Sequence, residues 1–220
     1  MGIVSDQIMD GLWKHVFRGL VYGPSGSGKT NWTIHFIKNV ESLTNVSFKK
    51  IVWCYSEWQS VYEELLPKVD FIEGCPTNLD MLDPKEPSLI ILDDLMSCVN
   101  SFVTDLFVKY SHHRNCSVLY LVQNLFPKDP HSRTISLNAN MFVLFKNPRD
   151  KSQVKTLARQ VFPGESQVML EAFQDATAKK YGYLVVDLHM DTDENLRLRT
   201  DIFPDDESGQ VSFVYVKNGA

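Results

Sequence analysis

The chain has 220 residues, 44% of them hydrophobic and 22% charged, and a net charge of −5. These values sit near globular averages, which sets aside disorder, collagen and a disulfide-dense scaffold. At roughly 100–200 residues per domain they leave room for one domain with a large core, or at most two small ones. The longest apolar runs, such as VLYLV and MFVLF, are five residues, against about 20 needed to cross a bilayer, so no membrane span is expected. The N-terminal MGIVSD lacks an apolar signal region and has Asp6 where myristoylation requires Ser or Thr. An intracellular location is therefore expected, in cytoplasm or nucleus. Cys54, Cys75, Cys98 and Cys116 show no CxxC or CxxH spacing, and reduced thiols are the expected state.

Short apolar or β-branched runs alternate with helical stretches along the chain. Strand-like runs begin at Val16, Lys50, Val69, Ser88, Ser117 and Met141. Helical patterns cover 29–42, 59–65, 100–112, 150–160 and 165–180, with Pro163-Gly164 breaking the last two. Further strand-like runs begin at Tyr181 and Gln210, and LRLRTDIF between them also reads as a possible strand. Several runs are apolar on both faces, as central parallel strands are, and the alternation predicts an α/β protein with a doubly wound, mostly parallel sheet.

Charge is unevenly spread. Residues 187–207 carry eight acids (Asp187, Asp191, Asp193, Glu194, Asp201, Asp205, Asp206 and Glu207) against Arg197 and Arg199. The pattern reads as a solvated acidic segment rather than a two-metal centre, because no Lys or His is arranged with it in a recognisable pattern. By contrast Lys146, Arg149, Lys151, Lys155 and Arg159 face only Asp150 in their stretch. That stretch is either a solvated helix face or a phosphate-gripping surface.

The strongest local signal is Gly23, Pro24, Ser25, Gly26, Ser27, Gly28, Lys29 and Thr30, which fits GxxxxGK[ST] between an apolar strand and a helical pattern. This P-loop predicts backbone N–H groups turned inward onto phosphate oxygens, Lys29 on the β and γ phosphates, and Thr30 on Mg²⁺. A second acid for the metal is expected at the end of a neighbouring strand, and SLIILDD supplies Asp93. Asp94 is positioned to polarise an attacking water, or is simply a loop carboxylate, and it is Asp where Glu is commoner. Gln123 and Asn124 end the next strand, where a polar group either senses the γ-phosphate or caps the strand. No DxxG follows Asp93 and no NKxD occurs, so adenine nucleotide is favoured over guanine. Arg114, Arg133 and Arg149 fall in connections after the acids. Each is a candidate for an arginine acting across a subunit boundary, or an ordinary surface residue. His112, His113 and His131 lack metal-ligand spacing.

Together GPSGSGKT, KIVWCYSEWQSVYEEL, LIILDDLM, SHHRNCSVLYLVQNLFP and RTISLNANMFVLFKNPRDKSQVKTLARQVFP resemble the viral genome-packaging ATPases of the FtsK/HerA class. Those of maverick (polinton) elements and related double-stranded DNA viruses are the most similar, and the poxvirus packaging ATPase is more distant. The resemblance runs from about Phe17 to Val216. It implies a three-layer, RecA-like (ASCE) P-loop domain over 1–220, with a core of about 16–186 and an acidic sheet extension over 187–220. It also implies a strand inserted between the P-loop strand and the acid strand. ATP and Mg²⁺ are the implied cofactors. Double-stranded DNA, a pentameric or hexameric ring and capsid or portal proteins are the implied partners, with virion association a further possibility. The resemblance assigns Lys29 and Thr30 to nucleotide, Asp93 to Mg²⁺, Asp94 to water activation and Gln123 to sensing, and leaves Arg133 and Arg149 as trans candidates. It adds weight to Lys146, Lys151, Lys155 and Arg159 as DNA-gripping residues. Two other readings stay open: a P-loop nucleoside or nucleotide kinase, and an ATP-switched capsid-assembly protein that moves no DNA.

Overall fold

The computed structural model describes residues 11–96, 99–204 and 212–216. Its elements follow the expected alternation. Strand β1 (Arg18–Tyr22) leads into α1 (Lys29–Lys38) and α2 (Val40–Leu43), then β2 (Lys50–Tyr55), a 3₁₀ helix (Ser60–Leu65), β3 (Asp70–Glu73) and β4 (Ser88–Asp93). A helical stretch follows as α3 (Ser101–Asp105), a π segment (Leu106–Tyr110) and α4 (Ser111–His113), before β5 (Cys116–Val122), α5 (Pro130–Asn138) and β6 (Met141–Phe145). Helices α6 (Ser152–Val161) and α7 (Ser166–Ala176) precede β7 (Tyr183–Asp187), β8 (Leu198–Thr200) and β9 (Phe213–Val214).

The described strands form one sheet in the order β3-β2-β4-β5-β1-β6-β7-β8-β9. Strands β1 to β6 run parallel, and β7, β8 and β9 follow, each antiparallel to the strand before it. Strands β4, β5, β6 and β7 are buried at every residue, as strands covered on both faces must be. Alternate side chains feed two separate cores. Leu20, Tyr22, Ile90 and Leu92 pack with α5, α6 and α7 on one face. Val21, Trp53, Ile91 and Leu121 pack with Trp32 and Phe36 of α1 and with Tyr62 on the other. The result is a three-layer α/β fold with β5 inserted between the P-loop strand β1 and the acid strand β4. The carboxyl ends of all six parallel strands open on one edge, where such sheets bind ligands.

Several local expectations are corrected. The helix read over 29–42 breaks at Asn39, whose side-chain amide donates to the His35 carbonyl at 2.9 Å. The helix read over 59–65 is present as a 3₁₀ helix over Ser60–Leu65. Helix α5 was not anticipated: Ile135 is its single buried residue, so it carries no apolar stripe to read. Its signal was local, since Asp129 accepts from Ser132 N–H and Pro130 occupies the first turn. Asp187 is no part of a solvated acidic segment: it is fully buried, with Oδ2 2.7 Å from Arg199 Nη2 and Oδ1 accepting from Thr192 and His189. Cys54 and Cys116 are buried thiols, as expected, whereas Cys75 is in a disulfide, which removes the argument for a reducing compartment. The readings of residues 1–6, Cys98, Asp205, Asp206, Glu207 and 210–211 lie outside the described residues.

Candidate nucleotide-binding site

The P-loop leaves β1 at a point where only glycine fits. A Cβ on Gly23 would stand 2.5 Å from Ser27 Oγ and 2.8 Å from Phe145 Cβ. The loop then turns through Gly26 and Gly28, at φ 75° and 101°, left-handed values that glycine adopts without steric cost. Gly28 is the residue from which α1 starts, so the free N–H groups of the first turn face the loop. Inside the loop the Ser27 hydroxyl is buried without a hydrogen-bond partner among the described residues, a donor suited to a phosphate oxygen. Lys29 folds back, donating to the Gly23 carbonyl at 2.8 Å and the Pro24 carbonyl at 3.0 Å. Burial lowers the Lys29 pKa, opposed by the nearby charges of Asp93 and Asp94.

The acid side is built by β4. Asp93 is 4% exposed, and its Oδ2 accepts from Thr30 Oγ1 at 3.3 Å and from the Tyr62 hydroxyl at 2.8 Å. Burial raises the Asp93 pKa, opposed by those two hydrogen bonds and by Lys29. Sequence reasoning did not name Tyr62. It lies 31 residues from Asp93 on the 3₁₀ helix, and its ring stacks on Phe71 at 5.4 Å; one aromatic residue among several carries no signal of that partner. Asp94, by contrast, is exposed and left-handed at φ 53°, a conformation Asp tolerates better than most residues. Thr30 and Asp93 together fit a divalent cation that completes its shell with phosphate oxygens and water, the way Mg²⁺ is held. Among the described residues no three His, Cys, Asp or Glu side chains gather to bind a metal by themselves.

The other candidates fall at different distances from this centre. Gln123 is exposed one residue beyond β5, and the pairings Tyr22↔Val122 and Asp93↔Leu121 seat it between the P-loop and the acid pair. Asn124 is a turn residue, its Oδ1 accepting from Phe126 N–H at 2.9 Å. Arg149 is exposed just past β6, on the same edge, in a segment tied down by Asn147: its side chain donates to the Tyr22 hydroxyl at 3.0 Å and accepts from Arg149 N–H at 3.1 Å. Arg133 is exposed on α5 rather than in a loop. Arg114 precedes β5, at the amino edge of the sheet and away from the P-loop and Asp93. Lys151, at the N-cap position of α6, and Lys155 and Arg159 within it are exposed at four-residue spacing, one face of a helix. Lys146, Lys151 and Lys155 line a cavity of about 450 Å³ shared with α7.

No protein-family model and no curated protein matches the sequence. The fold is similar to solved structures of the genome packaging NTPase B204 from Sulfolobus turreted icosahedral virus 2. The complex with AMPPCP aligns at a TM-score of 0.52 and 11% identity, covering 93% of this chain and 99% of that one. The complex with AMP aligns at 0.50 and 13%, covering 79% and 93%, and the complex with ATP-gammaS at 0.50 and 13%, covering 77% and 91%. At these identities the likeness is one of fold: this chain has the P-loop NTPase architecture of those structures.

Proposed function

We propose that this protein is an ATPase that drives double-stranded DNA into a preformed viral capsid, working as a ring of five or six copies in the infected cell or at the virion. The observation that carries this reading is the convergence of a complete P-loop, the Thr30–Asp93 pair and Asp94 on one sheet edge. The fold it sits on is shared with a structure described as a packaging NTPase. Gly23 to Thr30, Asp93, Gln123 and Arg149, which belong to the motifs that resemble the maverick-type enzymes, lie on this same edge, and the chain acts in this reading as one ATPase domain.

In this mechanism the P-loop amides and Ser27 take the phosphates. Lys29 leaves its carbonyls for the β and γ oxygens, and Thr30 and Asp93 hold Mg²⁺, which when bound neutralises phosphate charge. Asp94 orients and deprotonates the water, and Gln123 reports the γ-phosphate across β5. Arg149 or Arg133 reaches the neighbouring subunit's nucleotide. Lys146, Lys151, Lys155 and Arg159 grip the DNA backbone, a contact that reads no sequence and weakens with salt. Only the pore-facing surface of a ring need be basic, which reconciles DNA with a net charge of −5.

The test is steady-state ATP hydrolysis with and without linear double-stranded DNA at two salt concentrations, with Lys29→Ala as control. Stimulation of severalfold that fades at high salt, and loss of all turnover in the control, is the expected outcome. Turnover indifferent to DNA would favour the assembly switch. Stimulation by a nucleoside acceptor alone would favour the kinase.

A further inference from the structure

Tyr181 has no role in the mechanism above, yet its position is costly to maintain. It is 57% exposed, and its backbone is left-handed at φ 60°. An aromatic residue adopts that conformation rarely, and such strain persists only where the surroundings enforce it. Here they do. Gly182 N–H donates to the Lys179 carbonyl at 3.1 Å, closing a tight turn. A Cβ on Gly182 would strike the Ala176 carbonyl at the end of α7. Lys179 Nζ is itself anchored on both carboxylate oxygens of Asp201 at 2.7 Å.

The turn aims the ring at the P-loop. A Cβ built on Gly28 would lie 3.3 Å from Tyr181 Cδ1, and Lys180 Nζ stands 4.8 Å from the ring centroid. The ring lines two cavities that both reach the loop. One, of about 470 Å³, is shared with Gly26, Ser27 and Lys146. The other, of about 230 Å³, is shared with Gly28, Asn31 and His35. The larger falls within the range of about 300–1,000 Å³ typical of small-molecule sites.

Sheet order decides which part of a nucleotide comes this way. Asp93 lies two strands from β1 on one side, and β7, which Tyr181 precedes, lies two strands from β1 on the other. A triphosphate seated in the loop with its γ end toward Asp93 has its nucleoside end directed toward β6 and β7.

We propose that Tyr181 is the stacking platform for the nucleobase of the bound nucleotide. The inference rests on the P-loop reading and adds to it a residue that binds substrate without touching the phosphates. Stacking uses the π-face that every base has, so the platform supplies affinity for the nucleoside rather than a choice among bases.

The experiment is calorimetric titration of the full chain with ATP and with inorganic tripolyphosphate, each with Mg²⁺. The proteins compared are the wild type, Tyr181→Gly, Tyr181→Trp and Lys29→Ala. Glycine accepts φ 60° freely, so Tyr181→Gly removes the ring without adding strain, and thermal melting verifies that it folds. ATP affinity should fall about tenfold in Tyr181→Gly, the effect of losing one base–aromatic stack, and be kept in Tyr181→Trp. Tripolyphosphate affinity should stay unchanged in both. Equal loss of ATP and tripolyphosphate in Tyr181→Gly would overturn the proposal and make the ring a prop for the P-loop. Unchanged ATP affinity would overturn it outright. Lys29→Ala separates the two readings: both ligands should be lost there, and retention of both would instead remove the P-loop assignment.

Discussion

Two adjacent carboxylates at the end of β4 meet opposite surroundings. Asp93 is buried under Tyr62 and Thr30 while Asp94 stands in solvent. Because burial raises the Asp93 pKa, the folded chain holds that proton more tightly than the unfolded chain does. The contribution therefore favours folding below the ordinary carboxylate value and is lost as pH rises through the raised one. At neutral pH the ionised group is a cost, carried for function. Asp93→Asn should accordingly raise the melting temperature of the nucleotide-free protein and flatten its decline as pH rises above the ordinary carboxylate value, while abolishing Mg²⁺-dependent hydrolysis. Asp94→Asn should shift stability by no more than about 0.5 kcal/mol, as exposed substitutions do, and slow hydrolysis by about 10²-fold or more with ATP binding intact. Equal losses of binding and turnover in Asp94→Asn would make that residue a metal-side or structural group instead. The sequence exposed these acids because their positions follow an unbroken apolar strand. It concealed Tyr62 and Tyr181, whose meaning lies in what the fold sets beside them.

At the scale of elements, legibility followed burial. Strands β4, β5 and β6 were readable because they are apolar on both faces, and the P-loop because its glycines are required by backbone geometry. Helix α5 was not, since one buried isoleucine leaves no period; β7 and β8 were legible as strand-like runs, but Asp187 at the end of β7 reads as solvated only because its charge hides its burial. There the Asp187–Arg199 pair, at 0% and 1% exposure, joins two neighbouring strands at 2.7 Å, and Arg199 also donates to the Gly11 carbonyl. Removing one member of a buried pair strands the other charge. Arg199→Met should destabilise the protein by about 3–5 kcal/mol, read as a shift in the urea midpoint. A change below about 1 kcal/mol would mean that water reaches Asp187 once the arginine is gone.

For the whole molecule, the central question is whether the site works alone. Arg149 and Arg133 are both exposed, on a loop and a helix that reach the outside of the domain, where a neighbouring copy could receive them. If one of them serves the adjacent subunit, mixing its alanine variant with Lys29→Ala subunits should restore part of the DNA-stimulated turnover that neither protein has alone. A mixture as inactive as its components at every ratio would count against that role. Among the described residues no helix is long and apolar enough to cross a membrane.

The margins of the sheet bear on how copies could meet. Among the described residues one border strand, β3, has four residues, with Lys50 of β2 paired to its Asp70, and the other, β9, has two. Borders this short, one of them studded with charge, offer little unpaired backbone for another chain to zip onto. In the ring proposed above, copies would then abut through helices and connecting loops, contacts that can tilt and slide. A continuous ladder of strands would instead lock every subunit to its neighbour in a single pose.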